Sequence, residues 1–133
     1  MNKKIVSTEK APAAIGPYSQ AVLVNGMVFT SGQIPIVPGS GKIEAGDIAG
    51  QTKQVMANLG EVLKAAGSDF SKVVKTTIFL VDLAHFTTVN EIYGSHFPKE
   101  PPARSIPRGT MAHSPRRRST SPSRRLPEAA AGR

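Results

Sequence analysis

Apolar positions follow a two-residue rhythm in some stretches of this chain and a 3.6-residue rhythm in others, and the alternation between them lays out the fold. Lys3 to Thr8 alternates around Ile5 and Val6 and reads as a short edge strand. Pro12 and Gly16-Pro17 then prevent regular structure, so Ala11 to Tyr18 is expected to be an ordered loop. Ala21-Val22-Leu23-Val24, Asn25-Gly26 and Met27-Val28-Phe29-Thr30 predict a hairpin with a type I′ turn, because Asn-Gly tolerates the positive φ that both central positions need. Ser31 to Pro35 ends the second strand, and Pro38-Gly39-Ser40-Gly41 makes a turn.

The period then changes. Asp47 is placed as the N-cap of a helix whose apolar positions are Ile48, Val55, Met56, Leu59, Val62, Leu63 and Ala66, with Gly67 as its C′ residue. Val73 to Val81 is rich in β-branched residues and reads as a central strand. A second helix is expected from about Leu83 to Phe97, with Phe86, Val89, Tyr93 and Phe97 forming a stripe. Strand, strand, helix, strand, helix implies an α+β sandwich, a mixed β-sheet with two helices on one face. The sheet's other face also needs cover, which its Val, Ile and Thr content assigns to another subunit.

After Ser105 this patterning stops. Ile106 to Arg133 holds Pro107, Pro115, Pro122, Pro127 and the run Arg116-Arg117-Arg118, with few large apolar residues, and is expected to be a disordered basic tail. The chain therefore divides into a domain over 1–105 and a tail over 106–133. Charge follows the same division. Residues 1–105 carry nine Lys and one Arg against eight acids, net +2, and residues 106–133 carry seven Arg against one Glu, net +6, out of a total of +8. A nucleic-acid interaction would run through the tail alone.

At 133 residues the chain makes one domain, large enough for a core without disulfides or metal. Cys is absent, which excludes disulfides, thiolate catalysis and Cys-ligated zinc. No stretch approaches the roughly 18 to 20 apolar residues of a membrane span, so the expectation is a cytoplasmic protein. His85 and His96 stand eleven apart on one expected helix and cannot share a metal within a subunit; with His113 they read as solvated surface residues. Asp82, Glu91 and Glu100 form no recognisable carboxylate pair, and the glycines fit no phosphate loop. Neither a metal nor a cofactor is expected.

Arg104 is the first arginine in the chain, and every earlier basic residue is lysine. A guanidinium offers a planar fork that grips a carboxylate with two parallel hydrogen bonds, so Arg104 is a candidate anion site. Tyr18, Ser31 and Asn90 would each be unremarked alone, as a loop tyrosine, a strand-end hydroxyl and an exposed helix residue.

Gly16-Pro17-Tyr18-Ser19-Gln20-Ala21, Thr30-Ser31-Gly32-Gln33-Ile34-Pro35, Lys75-Thr76-Thr77-Ile78-Phe79, Val89-Asn90-Glu91-Ile92-Tyr93 and Pro102-Ala103-Arg104-Ser105, in that order, resemble the reactive-intermediate deaminase (RidA, YjgF or RutC) family. The likeness runs from about Lys4 to Ser105. It implies a chorismate-mutase-like fold, a homotrimer with sites in the clefts between subunits, and hydrolysis of enamines and imines such as 2-aminoacrylate, 2-iminopropanoate and 2-iminobutanoate to 2-keto acids and ammonia. Residue by residue, it makes Arg104 the clamp for the substrate carboxylate. Tyr18, Ser31 with the backbone of Gly32, and Asn90 would line the same cleft, with Ile106 giving backbone contacts.

The family's water-holding glutamate has no counterpart in register, Glu128 being the only acid of the tail. The family's last two strands are missing as well. Arg118 to Arg125, back-translated into GC-rich codons and read two nucleotides later, gives Val-Asp-Ile-Ala-Val-Glu-Ala, much like the missing strand. The expectation is therefore a frameshift after Ser105. The competing functions are an RNA-binding endoribonuclease or translation inhibitor, and a non-catalytic binder of small carboxylates.

Overall fold

The structure, a computed structural model, describes residues 2–108. From residue 109 onward the basic tail, with His113, Glu128 and the Arg118 to Arg125 stretch, lies outside the described residues. The first strand, β1 (Lys3–Val6), pairs antiparallel with β2 (Ala21–Val24), which pairs with β3 (Met27–Thr30), so β1 is at the edge as expected. Asn25 and Gly26 turn the hairpin with φ of 49° and 73°, the left-handed values their residue types tolerate. Alternation sorts the side chains onto two faces. Val6 and Ala21 are buried on one; Ile5, Val22 and Phe29 line up in register on the other.

The buried face lies on α1 (Ile48–Ala65), whose Val62 is fully buried against Val6, Ala11 and Ala21. Asp47 caps this helix by accepting a hydrogen bond from the Gly50 N–H at 3.2 Å. At the other end the Gly67 N–H donates to the Lys64 carbonyl and the Ser68 N–H to the Leu63 carbonyl, the paired bonds of a Schellman motif. That motif needs a left-handed residue, and Gly67 supplies it with φ of 76°.

Two short strands, β4 (Ile36–Val37) and β5 (Lys42–Ile43), form a small antiparallel pair around the Pro38 to Gly41 turn. Strand β6 (Lys75–Thr77) pairs in parallel with β7 (Ala103–Ser105), with Thr76 opposite Arg104. The strand expected over 73–81 is thus shorter and, among the described residues, has one neighbour rather than two. Pairing resumes at a single bridge, Leu80 with Arg108. Pro107 falls in the gap, and a proline has no N–H to give a ladder.

The second helix, α2 (Phe86–Ser95), follows a 3-10 turn over Leu83–His85 and covers β6. Its Tyr93, with Phe97 beyond its end and Met56 of α1, makes a second apolar cluster that takes in Val73 and Ile78. The result is an α+β fold with two helices in which, among the described residues, the strands fall into two antiparallel sheets and one parallel pair. No backbone hydrogen bond joins β3 to β6 among the described residues, so α1 holds the pieces together. No helix of the described residues is long and apolar enough to cross a membrane.

Candidate functional site

Strand β7 turns Arg104 toward α2, on the same side as Thr76, its partner across the parallel pair. Arg104 Nη1 donates to Asn90 Oδ1 at 2.8 Å. The guanidinium carbon lies 5.0 Å from the centre of the Tyr93 ring and 5.8 Å from that of Phe86. Phe86, Asn90 and Tyr93 stand at i, i+4 and i+7 of one helix, so they share a face and together seat one side chain. Tyr93 is fixed in turn, its hydroxyl 2.6 Å from Thr76 Oγ1 and its ring packed on Phe97 at 4.7 Å between centres.

Every one of these partners is neutral. The ion pair found among the described residues is Lys64 with Glu61, and none involves Arg104. Nor do Nε and Nη2 of Arg104 make a hydrogen bond there. A guanidinium oriented by an amide and two rings, with no acid among the described residues to compensate its charge and its Nε–Nη2 edge without a partner among them, is arranged to receive an anion.

Tyr18, Ser31 and Gly32 form a separate group around the end of β3. The Ser31 N–H donates to the Gln20 carbonyl at 2.9 Å and its hydroxyl to the Ser19 carbonyl at 2.6 Å. With its proton so placed, the Ser31 oxygen offers lone pairs only. Tyr18 is 52% exposed, and its hydroxyl meets the Ile15 N–H at 3.5 Å, which leaves the phenolic proton free to donate. At Gly32 a Cβ would meet nothing within 4 Å. Ile106 is half-buried just past β7.

Two buried amides hold this group in place. Gln20 accepts from the Thr8 N–H at 2.7 Å and donates to the Pro12 carbonyl at 2.8 Å, which pins the Ala11 to Tyr18 loop. Asn58, 1% exposed, donates to the Ile34 and Ile36 carbonyls at 3.1 and 2.9 Å and fixes the segment after Gly32. Sequence reading passed over both, since a polar residue in a helix or before a strand gives no sign that it will be buried. The expected stripe holds both Phe86 and Tyr93, and Tyr93 is buried in it; that the two also seat an arginine is not written in its period. Of the residues that sequence reading singled out, Arg104 and Asn90 come together; no hydrogen bond ties them to Tyr18 or Ser31 among the described residues.

A cavity of about 360 Å³ opens elsewhere, lined in part by Lys10, Asn58, Lys64, Asp69, Phe70 and His96. His96 lies on the Phe70 ring at 4.9 Å. Asp69 keeps its carboxyl below the ordinary value because the Ser71 hydroxyl and then the Ser71 N–H donate to it. Arg104 is not part of this cavity.

The model of a family described as Endoribonuclease L-PSP matches residues 8–111. The chain is 57% identical over 105 residues to "Reactive Intermediate Deaminase A, chloroplastic" of Arabidopsis thaliana, a match covering 79% of this chain and 56% of that protein. It is 53% identical over 103 residues to human "2-iminobutanoate/2-iminopropanoate deaminase", covering 77% and 75%. A solved structure of a Rid family protein of unknown function from Yersinia pestis superposes with a TM-score of 0.79 at 45% identity, over 81% of this chain and 86% of that one.

Proposed function

Because the chain belongs to the Endoribonuclease L-PSP (YjgF/RidA) family, we propose that it hydrolyses reactive 2-imino acids to 2-keto acids and ammonia. The observation that carries this reading is the guanidinium of Arg104, fixed by Asn90, Tyr93 and Phe86 and without an acidic partner among the described residues. A 2-imino acid presents a carboxylate beside its C=N bond. Arg104 clamps the carboxylate, water adds to the imine carbon, and the tetrahedral adduct expels ammonia to leave the keto group. Holding the reactant in one orientation supplies much of the rate. Tyr18 donates a hydrogen bond to substrate and Ser31 accepts one, beside the open backbone of Gly32, with Ile106 adding backbone contacts.

Two features support a site completed between subunits of a homotrimer of chorismate-mutase-like fold. Among the described residues of one chain, no hydrogen bond ties Tyr18 or Ser31 to Arg104. The outer sheet face also leaves Ile5, Met27 and Phe29 each more than half exposed. On this reading residues 1–105 form the domain, the basic sequence over 106–133 is shifted in frame, and the protein works in the cytoplasm.

The test is release of 2-keto acid and ammonia from a 2-imino acid generated in solution, with wild type and Arg104→Ala compared. Loss of turnover in the variant supports the clamp; equal turnover refutes it. The family's name also refers to an endoribonuclease activity, which the same samples address. RNA cleavage that falls steeply with salt and survives Arg104→Ala would favour that reading instead.

A further inference from the structure

We infer that Tyr93, anchored by Thr76, is a positioning residue that sets the plane of the Arg104 guanidinium and so the direction from which a carboxylate docks. The inference rests on the reading of Arg104 as a carboxylate clamp. Arginine has a long, freely turning side chain, and a single hydrogen bond from Nη1 to Asn90 leaves it able to pivot. The face of the Tyr93 ring removes that freedom, since a guanidinium 5.0 Å from a ring centre is attracted across a broad surface rather than at one point.

The ring itself cannot slide. Its hydroxyl lies 2.6 Å from Thr76 Oγ1, its body is 7% exposed, and Phe97 packs on it at 4.7 Å. Thr76 is β-branched, with few side-chain rotamers, and it stands opposite Arg104 in the β6–β7 register. Strand register therefore fixes the anchor and the clamp relative to each other, and Tyr93 closes the link through the helix. With one Nη1 proton on Asn90, the edge formed by Nε and Nη2 is the one Asn90 does not touch. These two point along one edge of the guanidinium and can meet a carboxylate with two parallel bonds.

Tyr93→Phe keeps the ring and its packing but frees it from Thr76. Thr76→Val keeps the shape of the anchor and removes its hydroxyl. The experiment is calorimetric titration of the full-length protein with pyruvate, a 2-keto acid product, alongside steady-state imine hydrolysis. Each variant is expected to weaken pyruvate binding and raise KM by about 2- to 10-fold, the range for losing one neutral hydrogen bond, with kcat little changed. The double variant is expected to match either single one, because both remove the same bond. In an Arg104→Lys background, which has a cation but no guanidinium plane, Tyr93→Phe is expected to add nothing.

Wild-type binding and KM retained in both single variants would overturn the inference. So would an equal loss from Tyr93→Phe on the Arg104→Lys background, since that loss would not pass through the guanidinium. If one variant fails to fold, the other carries the test. A wild-type protein that neither binds pyruvate nor hydrolyses imines would instead refute the clamp reading beneath it.

Discussion

Asn90 accepts the Nη1 proton of Arg104 at 2.8 Å and brings no charge to the pair. It steers the guanidinium without neutralising it, and that distinction can be tested. Arg104→Ala is expected to lower kcat/KM for a 2-imino acid by at least ~10- to 150-fold, the equivalent of the ~1.5 to 3 kcal/mol of a charged hydrogen-bonded contact. Asn90→Ala is expected to cost only ~2- to 10-fold. Asn90→Asp should be worse than Asn90→Ala, because its carboxylate would claim the arginine that the substrate needs. Equal activities for Asn90→Ala and Asn90→Asp would show that Asn90 does not steer an anion site.

Ile5, Val22 and Phe29 align across three strands on the face opposite the one that α1 buries, and Phe29 is 57% exposed. Burying such a ring between subunits is worth ~1.5 to 3 kcal/mol per copy. If the proposed assembly uses this face, Phe29→Asp is expected to dissociate it while leaving the monomer folded, since the side chain lies on the sheet face opposite the buried Val6 and Ala21. Sedimentation velocity reads the association state and circular dichroism the fold. If sites are shared between subunits, imine hydrolysis falls with the assembly; a variant that stays associated would show that this face is not the interface.

Asn58 is the buried polar residue on which the segment after Gly32 depends. Asn58→Ala would take the side-chain donor from the Ile36 carbonyl, leave the Ile34 carbonyl with the Ile36 N–H alone and deprive the Gln54 amide of its acceptor, at ~1 to 3 kcal/mol for an unsatisfied group, and would open a small void as well. A loss of about 2 to 4 kcal/mol in urea unfolding is expected. A loss under ~0.5 kcal/mol, the scale of a surface substitution, would show that the carbonyls find other partners.

Much of this was legible in the sequence because local chemistry decides it. Asn25-Gly26 could only turn a hairpin, and Asp47 and Gly67 mark the ends of α1 by what their side chains, or the lack of one, permit. Arg104 stood out by its isolation among lysines. What stayed hidden depends on partners distant in sequence. The stripe of Phe86 and Tyr93 predicted a buried helix face, yet nothing in its period says that an arginine from a later strand will lie on it. Likewise Val73 to Val81 has the composition of a central strand, but its pairing was set by β7 and interrupted at Pro107.

Asp69 offers a test by pH. Its carboxyl sits below the ordinary value of 3.8 chiefly because the Ser71 hydroxyl donates to it, with the Ser71 N–H second and Lys72 a smaller contributor that acts in the same direction. A carboxylate depressed in the folded state adds stability that is fully present above the unfolded value and fades as pH falls through the folded one. Ser71→Ala removes the larger donor and keeps the N–H, so Asp69 is expected to titrate closer to 3.8 in that variant. The stability gap between wild type and Ser71→Ala should then be constant from neutrality down to about pH 5 and narrow below it, as both carboxyls take up protons. Carboxyl-carbon NMR titration reads the midpoint directly, and urea unfolding at several pH values reads the gap. An unchanged midpoint in Ser71→Ala would mean that the hydroxyl does not hold the Asp69 carboxylate.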